Sequence, residues 1–71
     1  MRGAEFISKV KEIGKSHGVD VSFRPERGKG SHGTLYFGNR RTTVRDLKKE
    51  LKTGTLMAML RQLGLRSTDI G

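Results

Sequence analysis

The dipeptide Gly38-Asn39 separates two short runs, residues 32–37 and 40–44, that are rich in aromatic and β-branched side chains. Gly-Asn makes a two-residue hairpin turn, with glycine at the position that needs positive φ, so the runs must return antiparallel with Phe37 opposite Arg40. Side chains alternate along a strand, and that single pairing therefore decides both faces. It directs Leu35, Phe37, Thr42 and Val44 inward. His32, Thr34 and Tyr36 then point outward beside Arg45, Thr43 and Arg41.

The flanking segments have their own periods. Phe6, Ile7, Val10 and Ile13 recur at i, i+1, i+4 and i+7 and predict a helix over residues 4–17, closed by Gly18. Val19, Val21 and Phe23 alternate with Asp20, Ser22 and Arg24, which predicts a half-buried strand ended by Pro25. Leu47 and Leu51 are four apart, Asp46 is a candidate cap, and residues 45–52 read as a short turn of helix. Thr53 is a candidate N-cap for a last helix through Leu56, Met59, Leu60 and Leu63, with Gly64 ending it and Leu65 folding back. One domain over residues 1–71 follows, with its core in 4–65 and a frayed tail at 66–71. The fold class is α+β: an α-β-β-β-α order with two helices on one face of a three-stranded antiparallel sheet.

With 71 residues and 32% apolar content, the chain has a thin core and little room to enclose a large cofactor. It has no cysteine and only two histidines, His17 and His32, which disfavours disulfides and a zinc site. No cofactor and no metal are called for. No apolar run approaches the ~18 residues of a spanning helix and nothing reads as a signal peptide, so the expectation is a soluble cytoplasmic protein without membrane contact. Fifteen Lys and Arg against seven Asp and Glu leave a net charge of +8. That density favours a polyanionic partner, above all nucleic acid. Four aromatics and no tryptophan are few for a surface that stacks successive bases.

Residues 28–33 spell G-x-G-x-x-G, but a dinucleotide site needs a preceding parallel strand and a helix opening inside the motif. Here a strand follows, and the nucleotide reading fails. A different chemistry fits better. Glycines let the backbone approach a phosphate, Arg27 and Lys29 bring positive charge, and His32 stands at the start of a strand. An RNA phosphodiester carries its own nucleophile, the 2′-hydroxyl, so one base and a few cations suffice to cut it. His32 is the candidate general base; its plainer reading is a loop histidine at a strand end. His17 reads as a helix-terminal residue that complements the dipole. Tyr36 either orients a base or phosphate or is an ordinary half-buried strand tyrosine. The cations at 40, 41, 45, 48, 49 and 52 form either a phosphate-contacting face or a merely solvated one, and Met57 is filler or part of a partner patch.

The element Lys29-Gly30-Ser31-His32, followed by Leu51-Lys52-Thr53-Gly54-Thr55-Leu56 and Met59-Leu60-Arg61-Gln62-Leu63-Gly64-Leu65, resembles the HicA family of messenger-RNA interferase toxins. The likeness spans nearly the whole chain. It implies a double-stranded-RNA-binding-like fold, metal-independent cleavage of messenger RNA with His32 as the catalytic residue, and a cognate antitoxin of the HicB type. Arg27, Lys29, Ser31, Tyr36, Arg41, Arg45, Lys48 and Lys49 are the expected RNA-binding residues. Many members carry a second histidine directly after the first, and here that position is Gly33. The alternative is a small RNA-binding module of the same fold that binds without cutting; a structural basic protein of a ribonucleoprotein is a third reading.

Overall fold

A computed structural model of the chain describes residues 1–27 and 32–70. Helix α1 (Gly3–His17) leads to strands β1 (Val21–Pro25), β2 (Gly33–Phe37) and β3 (Arg40–Val44), then to helix α2 (Thr53–Leu63) and a final turn, α3 (Ser67–Ile70). The sheet has the order β1-β2-β3 with both pairs antiparallel. This is the α-β-β-β-α arrangement expected from the periodicity, consistent with the double-stranded-RNA-binding-like class.

The hairpin register is the one its turn dictates. Phe37 pairs with Arg40, Leu35 with Thr42 and Gly33 with Val44, while Tyr36 meets Arg41 and Thr34 meets Thr43. Gly38 alone in the turn has positive φ, at 61°, the pattern of a II′ turn with glycine first. Its N–H donates to the Asp20 carbonyl, which ties the turn to the approach to β1.

The apolar stripe of α1 buries Phe6, Ile7, Val10 and Ile13 against the sheet, and Met59, Leu60 and Leu63 of α2 complete the core around Leu35 and Val44. Both helices lie on one face, which leaves Thr34, Tyr36, Arg41 and Thr43 on the other. Gly64, at φ 75°, closes α2 as a Schellman motif: its N–H bonds the Arg61 carbonyl, and the Leu65 N–H bonds that of Leu60. Leu65 is thereby folded back into the core.

Several local expectations are corrected. The first strand begins at Val21, not Val19, and extends through Pro25, whose missing N–H is tolerated on an edge strand. The second strand begins at Gly33, with His32 just outside it. Lys52, not Thr53, is the N-cap residue of α2, and its side chain makes no capping bond. Residues 45–52 are not helical: the Asp46 carboxylate accepts the Lys48 N–H, an Asx-type bond that competes with a helical turn. The same segment is held instead by the N-terminal residues, with Ala4 N–H donating to the Leu47 carbonyl and Leu51 N–H to that of Met1. The N-terminal ammonium also pairs with Glu50.

The chain end does not fray through residue 70. Asp69 accepts the Arg66 N–H at 2.8 Å through its carboxylate, and its own N–H returns to the Arg66 carbonyl. This turn delivers Ile70 into the core against α1.

Candidate functional site

His32 is half-buried and immediately precedes β2. Its backbone carbonyl accepts the Glu26 N–H at 2.9 Å, extending the β1–β2 ladder one step and closing the neck of the connection that contains residues 27–31. Lys29 and Ser31, both expected to contact RNA, lie outside the described residues together with Gly28 and Gly30. Arg27, at the edge of that connection, is exposed.

Register decides which cations share an end with His32. Gly33 pairs with Val44, so His32 and Arg45 both lie just beyond the same end of the β2–β3 ladder. Lys48 and Lys49 follow in the connection to α2, both exposed. The Lys49 ammonium stands 3.8 Å from the Asp46 carboxylate, an exposed and therefore weak pair. Arg24 joins this end as well, since it pairs with Thr34 and, like Ser22, alternates outward from the buried side of β1. Sequence reasoning omits Arg24 from the site, although its alternation with Val21 and Phe23 carries the signal.

Tyr36 and Arg41 belong elsewhere. They are cross-strand partners on the outward face, and Tyr36 is flanked on its other side by Ser22. Four residues at about 3.3 Å each separate His32 from Tyr36, roughly 13 Å along the strand. Tyr36 and Arg41 line a polar cleft with Thr34, Thr42, Thr43 and Gln62. Nothing in the helical period of α2 singles out Gln62; its place on the flank of that helix becomes meaningful only through its contact with Thr42 of β3. His17 closes α1 among the basic residues of its last turn, beside Gly18 in the left-handed conformation. Met57 is exposed, off the core stripe of α2.

Gly33 explains why no second histidine follows the first. It is buried, and a Cβ there would collide with the Phe23 ring and lie 2.7 Å from the Arg24 carbonyl oxygen. Among the described residues, no group of three or more His, Cys, Asp or Glu is placed to hold a metal ion. None of the described helices is long and apolar enough to cross a membrane.

The fold and this end of the sheet define a small basic α+β protein with a histidine set among cations. The chain belongs to the HicA toxin family of bacterial toxin–antitoxin systems, whose family model matches residues 5–65. Membership makes it the toxin of such a pair and implies an antitoxin partner. Searches among curated proteins and among solved structures gave no match.

Proposed function

We propose that this toxin is a metal-independent endoribonuclease that cuts messenger RNA with His32 as general base. The observation that carries the reading is the common end shared by His32, Arg45 and Arg24, fixed by the Gly33–Val44 and Arg24–Thr34 pairings. In this mechanism the imidazole takes the proton of a ribose 2′-hydroxyl, whose oxygen attacks the adjacent phosphorus. The bond from phosphorus to the 5′-oxygen breaks, leaving a 2′,3′-cyclic phosphate and a 5′-hydroxyl that collects a proton. Arg27, Lys29 and Arg45 offset the charge that builds on the phosphorane oxygens, and Ser31 donates to a phosphate oxygen. Lys48 and Lys49 hold neighbouring phosphates, while Tyr36 and Arg41 contact the strand farther along the sheet.

The partner that restrains the activity is an antitoxin of the HicB type, and the toxin works in the cytoplasm, where messenger RNA is found. The deciding experiment is cleavage of an end-labelled RNA in excess EDTA by the wild type and by His32→Ala, at matched RNA binding. Cutting that leaves cyclic phosphate ends and falls by a factor of about 10² or more in the variant supports the mechanism. Binding by both proteins with cutting by neither makes the chain a non-catalytic RNA-binding module.

A further inference from the structure

Three adjoining cavities follow the free edge of β3. The first, about 540 Å³, is lined by Tyr36, Arg41, Thr42 and Gln62 among others. A second shares Thr42, Thr43 and Gln62 with it and adds Arg45 and Thr55. The third shares Thr43, Arg45 and Thr55 with the second and reaches Lys49 and Lys52. Their common walls make one continuous groove with β3 as one bank and α2 as the other. Its charged lining is Arg41, Arg45, Lys49 and Lys52 against Asp46 and Glu50, an excess of cations suited to a polyanion.

Gln62 stands where the first two cavities meet. Thr42 is only 3% exposed, and its hydroxyl donates to Gln62 Oε1 at 2.5 Å. A buried hydroxyl needs such a partner, so the bond fixes the orientation of the amide. With Oε1 engaged, the two Nε2 protons are what this exposed side chain presents to the groove. Arg41, on the same cleft, is also a pure donor, and a donor-rich cleft selects for acceptors.

We propose that the groove between β3 and α2 holds a single strand of RNA and that Gln62 is a specificity-determining residue, reading a carbonyl-bearing base, guanine, uracil or cytosine, in preference to adenine. The proposal rests on RNA being the substrate and extends that reading by naming where sequence preference arises. Thr34 and Tyr36, which line the cleft, stand on the strand that His32 precedes, with Tyr36 about 13 Å along it, so the base that is read lies a few nucleotides from the cut. Thr42 is a positioning residue: it acts through Gln62.

The test is selection of bound sequences from a randomised single-stranded RNA pool by the full chain carrying His32→Ala, which makes the readout independent of cleavage. The same pool is then given to His32→Ala combined with Gln62→Glu, and separately with Gln62→Met. Gln62→Glu keeps an acceptor for the Thr42 hydroxyl but removes the Nε2 donors; Gln62→Met removes the donors without adding charge. A preference for guanine, uracil or cytosine over adenine at one position that falls about fivefold or more in both variants is the expected result. Thr42→Val should blur the same preference and Thr42→Ser restore it, a pattern that mere loss of stability does not produce.

An unchanged base distribution in the Gln62 variants, no preference in the parent, or no RNA bound at all overturns the proposal. Failure of the wild type to cleave, with the preference present and dependent on Gln62, overturns the nuclease reading alone.

Discussion

Gly33 lies directly beneath the ring of Phe23, so closely that a single methyl group at position 33 has no room. The inward alternation of β2 buries position 33, and β1 lays the Phe23 side chain across it. A second histidine beside His32 is thus incompatible with this packing, and in the proposed mechanism the proton for the leaving oxygen comes from another group or from water. Gly33→Ala is expected to lower stability by about 1–3 kcal/mol, as overpacking of a tight core does. Urea denaturation checks it, and partial recovery in Gly33→Ala with Phe23→Leu would identify the ring as the obstacle.

Two helical glycines should respond oppositely to the same substitution. Gly54 is the second residue of α2, with nothing near its absent Cβ, so Gly54→Ala is expected to stabilise by about 0.5–1 kcal/mol through helix propensity. Gly14 lies in α1 against β1, where a Cβ would collide with Val21 and come within 2.8 Å of the Val19 carbonyl oxygen. There the steric cost outweighs propensity, and Gly14→Ala should lower the Tm. Equal shifts in the two variants would contradict the close packing of α1 on β1.

Leu35 is fully buried at the centre of the middle strand. A chain of this length has roughly 4–11 kcal/mol of stability, and Leu35→Ala removes about 2–5 kcal/mol of it. The expected outcome is a urea midpoint that drops by roughly a fifth or more with little change in slope. Met57→Ala, at an exposed position, should stay within about 0.5 kcal/mol of the wild type.

RNA binding should weaken with salt in proportion to the cations engaged. For a single strand the slope of log K against log salt changes by about 0.7 for each phosphate that is no longer neutralised. Alanine at Arg45 and at Lys48 should each lower the slope by about that amount. Lys49→Ala should lower it by less, since Asp46 stands beside that ammonium. A titration at four or five salt concentrations measures this, and a slope unmoved by Arg45→Ala and Lys48→Ala together would remove that end of the sheet from the RNA-binding surface.

Much of the fold is legible in the sequence because local patterns and tertiary demands agree. The stripe from Phe6 to Ile13, the Gly38-Asn39 turn and the Gly64-Leu65 ending each specify a local geometry that the packed structure keeps. The helical reading of residues 45–52 fails because Leu47 and Leu51 have helical spacing, yet their backbone groups bond to Ala4 and Met1, far away in sequence. The frayed reading of the chain end fails for a similar reason: Ile70 shows no period, and only the turn at Arg66 and Asp69 brings it to α1. His32 and Arg45 can be placed together from the hairpin register alone. Arg41 separates from them only when distance is measured along the sheet.

By itself, the sequence determined the order of the three strands and the two long helices, the hairpin register, the faces of its strands and the concentration of positive charge. These depend on residue spacing and turn chemistry, which act over a few positions. Tertiary structure decided that residues 45–52 bridge to the N-terminal end, that Phe23 fills the space at Gly33, and that Thr42 orients Gln62 over a groove. Those are contacts between segments distant in the chain, and they depend on how α1 and α2 settle on the sheet, which no local period encodes.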